Sequence, residues 1–183
     1  MLSQAQRDYV RTVTRTVQII VGAMAASVLV FLGIVVVLVS QNAQAAAAAA
    51  EPIVTYTAIG MTIAVGIAWL IVPGVVVGRM RQSLIDGRSS QWVLVKSMSD
   101  VAELGDVVPL AAIYQTRAII GVALLEGAAF LSNIAYLLEH QPIALYIAGV
   151  LLLTIVSQIP TVSRLESWLE SELASIEQMR QMR

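Results

Sequence analysis

Residues 118 to 138 read AIIGVALLEGAAFLSNIAYLL, an apolar run interrupted by a single charge, Glu126. At about 1.5 Å of rise per residue, a helix over this run spans a hydrocarbon core of about 30 Å. Three further runs share its character: Val17 to Ser40, Ile53 to Val77, and Ile143 to Ile159. All are too long and too evenly apolar for the alternation of a barrel strand, and a helix satisfies its own backbone hydrogen bonds in lipid. Of 183 residues, 58% are hydrophobic and 13% charged, and mean hydropathy is +0.81. One water-soluble core of this size could not hide that much apolar surface. The sequence therefore predicts an all-α integral membrane protein, a four-transmembrane-helix bundle with spans at 17–40, 53–77, 118–138 and 143–159.

Charge sets the expected orientation. Arg7, Arg11, Arg15, Arg79, Arg81, Arg88, Lys96, Arg117, Arg164, Arg180 and Arg183 all avoid the two short turns at 41–52 and 139–142. Those turns carry only Glu51, Glu139 and His140. Under the positive-inside rule both termini and the loop 79–114 face the cytoplasm, and the short turns face outward. The expected location is a cell inner (cytoplasmic) membrane, crossed several times. A net charge of -1 supplies no electrostatic footprint for nucleic acid.

The segments flanking the spans are amphipathic. Residues 1–16, with arginines spaced at four, predict a helical lead-in continuous with the first span. Ala43-Gln44-Ala45 resembles a signal cleavage site, but the preceding apolar run is too long for a signal peptide, so an uncleaved span is expected. In the loop, Leu94, Met98 and Val101 beside Trp92 predict a surface helix. Asp106 as N-cap and Pro109 in the first turn predict that the third helix starts near Val107. In the tail 161–183, Leu165, Trp168, Leu169, Leu173 and Ile176 form one apolar face, able to lie on headgroups or to pack on another helix.

Small residues recur at helical spacing: Gly22 and Ala26 with Gly33 on the first span, Gly60, Ala64 and Ala68 on the second, then Gly74 and Gly78. Such stripes are expected helix-packing faces. Pro73 is expected to kink the second span near its cytoplasmic end. Shifting the first span by 100 residues superposes Thr16, Ile19, Ile20, Ala23, Leu38 and Gln41 on identical types in the third. A tandem repeat of hairpin plus surface helix is one reading of that match.

Glu126 is the one Asp, Glu, Lys, Arg or His within the four spans. A charged carboxylate there costs at least about 2.5 to 3.5 kcal/mol, so the membrane favours its neutral form. At 100° per residue, Gln115, Glu126, Asn133 and His140 fall within about 40° of one another, a polar line along the third helix. Such a line is expected to face other helices or a wet cavity, with Thr57, Thr62 and Tyr56 as hydrogen-bond partners. Two readings stand: a proton or cation site built on these four residues, or a neutral hydrogen-bonding group that pins helix register.

Two stretches, AIGMTIAVGIAWLIVPGVVVG (residues 58–78) and QTRAIIGVALLEGAAF (115–130), resemble the proteolipid c subunits of rotary ATP synthases. The resemblance implies that Glu126 is an ion-carrying carboxylate, and that Gly60, Gly66 and Gly74 allow tight ring packing. It also implies a cytoplasmic connection between the two helices, as the charge pattern predicts. The connection here is much longer than that family's tight turn, and two further spans flank the pair.

The function classes narrow accordingly. The chain has no cysteine and one histidine, which leaves no thiolate metal site, no cysteine nucleophile and no ligand set for haem or zinc, so no cofactor is expected. No nucleophile-base pair or phosphate loop points to an enzyme. The expected partners are the lipid bilayer and either further copies of the chain or other membrane subunits. The expected role is a subunit of a membrane assembly, or an accessory scaffold whose cytoplasmic helices recruit a partner.

Overall fold

The computed structural model describes residues 3–41, 52–85 and 104–181. All its extended elements are helices: α1 (Gln4–Gln41), α2 (Ile53–Ile85), α3 (Val107–Glu139), α4 (Pro142–Ser157) and α5 (Val162–Gln181). The alanine run at 45–50, the Ala43-Gln44-Ala45 stretch and the loop helix expected around Leu94 lie outside the described residues.

Three helices, α1, α2 as far as Gly78, and α3, are long and apolar enough to cross a membrane, and a fourth crossing arises only if α4 and α5 count together as one bent span. The sequence predicts an independent fourth span at 143–159, but α4 has 16 residues, about 24 Å of helix. It stops because Pro160 cannot continue the ladder, and Gln158 closes the last turn by donating its N–H to Ile155 O at 3.0 Å. Pro73, in contrast, does not end α2, which continues to Ile85.

The chain divides into two compact units. One comprises Ile20–Val72 and Ile120–Ile159. Within it α1 and α3 run parallel, since Ser27 meets Glu126 and Phe31 meets Phe130, whose ring centroids are 5.2 Å apart. There α2 runs antiparallel to α3, with Glu139 near Val54 and Thr55, and Gly121 near Trp69. Ala58, Ala135 and Ala144 form a buried cluster joining α2, α3 and α4, where small side chains let backbones approach closely. Val21, Val28 and Val35 recur every seventh residue as the buried seam of α1.

The other unit comprises Met1–Ile19, Pro73–Ile119 and Pro160–Arg183. The first turns of α1 bury Val10, Val13 and Val17 while Arg7, Arg11 and Arg15 stay exposed. Lead-in and first span form one helix, as the spacing predicts. In the same unit Val107, Val108, Leu110 and Ile113 of α3 are buried, as are Leu165, Leu169 and Ile176 of α5. Of the two surfaces open to the tail's apolar face, protein takes it: Trp168 stacks at a tilt on Tyr114, centroids 5.4 Å apart. Gln18 Nε2 donates to Pro160 O at 2.8 Å, tying the start of the tail to α1.

A candidate protonatable site on α3

Glu126 sits near the middle of α3's apolar run, half-buried. Its partner is Ser27 of α1, and not the expected Thr57, Thr62 or Tyr56 of α2. Thr57 and Thr62 donate back to Ile53 O and Ala58 O of their own helix, and Tyr56 is 68% exposed. Ser27 Oγ stands 2.7 Å from Glu126 Oε1 and also 2.7 Å from Met24 O. A hydroxyl has one proton, so it can donate to only one of the two. Against a carboxylate, Ser27 donates to Oε1. Against a neutral carboxyl it can turn its proton to Met24 O and accept the proton of Glu126. The pair accommodates both protonation states by rotating one hydroxyl.

The other three residues of the polar line do not join this pair through any hydrogen bond among the described residues. Asn133 is fully buried, and neither Nδ2 nor Oδ1 finds a partner. It lies seven residues from Glu126, about 10 Å along the axis. His140 leaves the line altogether. The wheel treats it as helical, but its φ is 56°, and it closes α3 as a left-handed residue with its N–H on Tyr136 O at 2.9 Å. Gln115 is half-buried in the unit that contains α5. The predicted line is therefore one carboxyl-hydroxyl pair, one orphaned amide and two residues placed elsewhere. Among the described residues no three His, Asp or Glu side chains gather as a metal centre would need.

The small-residue stripes take a different place from the one expected of them. A Cβ added at Gly22, Gly60, Gly74 or Gly78 would meet nothing within 4 Å, and Ala26 and Ala64 are exposed. Gly60, Gly74 and Gly78 are exposed too and Gly22 is half-buried, and within one chain these positions do not bring helices together. The close approach occurs at Gly121, where a Cβ would stand 3.2 Å from Trp69 Nε1.

Two residues that the sequence reading did not single out carry polar roles. Ser27 is one, and the 100-residue alignment held the clue, because it sets position 27 level with 127, beside Glu126. Glu139 is the other: its carboxylate accepts the N–H of Val54 and, at 2.7 Å, that of Thr55. These amides belong to the first turn of α2, where no intrahelical acceptor exists and the helix dipole favours an anion. Partial desolvation pulls the Glu139 carboxyl upward, but the hydrogen bonds from Thr55 and Val54 outweigh it and hold the group below its ordinary value.

No family model, curated protein or solved structure matches the chain.

Proposed function

We propose that this chain is a four-span protein of the cytoplasmic membrane, with both termini inside, and that it serves as a subunit of a membrane assembly in which Glu126 responds to protons or cations. The observation that carries this reading is the Ser27–Glu126 pair, a carboxyl at mid-span beside a hydroxyl with two acceptors at equal distance. A group with two satisfied protonation states can change charge without unfolding its surroundings. The arginine distribution supports the orientation. For the fourth span, the short length of α4 is compatible with local bilayer thinning. The parallel course of α1 and α3, at an offset of 99 residues between Ser27 and Glu126, is what a tandem hairpin repeat would produce, and supports that reading of the 100-residue match.

Two measurements test the proposal. Because the chain has no cysteine, single cysteines at Ser3 and Gln141 report topology with no background. An impermeant maleimide applied to intact cells is expected to label position 141 and spare position 3, and the reverse pattern overturns the orientation. In proteoliposomes, Glu126→Gln is expected to abolish proton or sodium coupling while assembly persists. Unchanged ion flux would sink the role of Glu126.

The alternative, an accessory scaffold that recruits a partner through its cytoplasmic helices, has less support. The apolar face of α5 that such recruitment would use is already covered, with Leu165 and Leu169 fully buried. What α5 leaves exposed is polar, including Ser167 and Glu170. Deleting residues 161–183 is expected to expose the apolar surface of α1 and α3 and not simply to release a partner.

A further inference from the structure

We propose that a second copy of this chain docks in the outward groove between α1 and α3, with the Glu126 carboxyls of the two copies hydrogen-bonded to each other. This deepens the membrane reading above and rests on it. The groove is read from exposure. Ala23, Ser27 and Val30 share a face of α1 at steps of four and three, and all three are exposed. Ala123 and Gly127 are exposed on α3, and a Cβ added to Gly127 would meet nothing within 4 Å. The Ser27–Glu126 pair lies where these two faces meet.

The chemistry of the carboxyl selects the occupant. Oε1 takes the contact with Ser27, while Oε2 has no hydrogen bond among the described residues. Lipid tails offer it nothing. Between residues 20 and 50, 52 and 72, and 120 and 138, the sequence holds no other Asp, Glu, Lys, Arg or His, so this unit supplies no counter-charge at that depth. A neutral carboxyl, however, complements itself: each Oε2–H can donate to the other copy's Oε1, and no foreign group is required. Two copies inserted in the same orientation are related by an axis along the membrane normal, so every residue meets its counterpart's level. Glu126 of one copy then stands level with Glu126 of the other, a group that complements it. The bare positions at Ala123 and Gly127 let the two α3 helices come close enough.

The test places one cysteine at Gly127, where the chain's own packing leaves room, and treats native membranes with a membrane-permeable oxidant. A disulfide-linked dimer of the chain is expected, and a cysteine at Leu153, exposed on α4, is expected to give none. On the Gly127→Cys background, Glu126→Leu should reduce the dimer roughly eightfold, the loss of two intramembrane hydrogen bonds. Glu126→Gln should leave it within about twofold, because an amide is also self-complementary. Equal cross-linking at positions 127 and 153, an unchanged dimer in Glu126→Leu, or an adduct to a protein of different mass would each overturn the proposal. Maleimide labelling of a cysteine at Gln141 separates the two failures. Labelling at 141 without a dimer sinks only the docking, whereas labelling at neither 141 nor a cysteine placed at Ser3 sinks the membrane reading itself.

Discussion

The two units of this chain are built inside out relative to each other. The unit holding the first turns of α1 and the whole of α5 buries Val10, Val17, Leu165 and Leu169 and exposes Arg7, Arg11, Arg15 and Glu170. The unit holding the apolar runs exposes Leu29, Leu70, Val150 and Leu153, and buries Thr55, Ser132 and Asn133. The helices α1, α2 and α3 each contribute to both units, and α1 changes character between Arg15 and Ile19. The first pattern suits water, where apolar area drives burial. The second suits lipid, where apolar side chains lose nothing by facing outward and polar ones gain by turning in.

Single substitutions can break or sharpen this contrast. The largest effect is expected from Leu165→Asp, which buries a charge in the apolar interior of the first unit. It should cost about 4 kcal/mol or more, read as lost hydrogen-exchange protection along α5, while Glu170→Ala on the exposed face of the same helix stays within about 0.5 kcal/mol. Next comes Leu153→Asp on α4, at a side chain 71% exposed. Facing water this change would be harmless. Facing lipid it should cost about 2.5 to 3.5 kcal/mol, measured as the inserted fraction in a glycosylation-mapping assay, and a neutral result there would dissolve the contrast between the units.

Asn133→Leu tests the inside of the lipid-type unit. With both amide atoms unpartnered, removing them should stabilise the fold by about 1 to 3 kcal/mol, measured by thermal unfolding in mild detergent. Destabilisation instead would mean that the amide holds a water or a ligand. The smallest effect belongs to Glu139, at the C-terminal end of α3. Its carboxyl is held below the ordinary value in the folded chain, so its contribution is complete above the ordinary carboxylate value. That contribution fades as pH falls through the lower, folded one. Glu139→Gln should therefore lower the melting temperature at neutral pH and leave acid pH little changed, which flattens the acid side of the profile.

Much of this arrangement was legible in the residues. The apolar runs located α1, α2 and α3, Asp106 marked the start of α3, and the spacing of Leu165, Leu169 and Ile176 marked a one-sided tail. These are local signals, set by hydrophobic periodicity and backbone chemistry within a few turns. The helix wheel did less well with the polar line, because it assumes that the helix continues. His140 ends it in a left-handed conformation, and no residue type announces that as firmly as glycine would. Sequence proximity points to Thr57, Thr62 and Tyr56 of α2 as partners for Glu126, whereas Ser27 lies 99 positions away.

By itself, then, the sequence determined that this chain is helical, that it carries long apolar runs with the composition of membrane spans, four by its reading where three helices have the length alone, and that one carboxyl stands alone among them. Tertiary structure alone decided how that carboxyl is answered. Hydropathy is a property of each segment, but which faces meet depends on how α1 and α3 lie side by side. That pairing gave Glu126 a serine with two acceptors, left Asn133 with none, and turned the small-residue stripes outward to surfaces that another chain could cover.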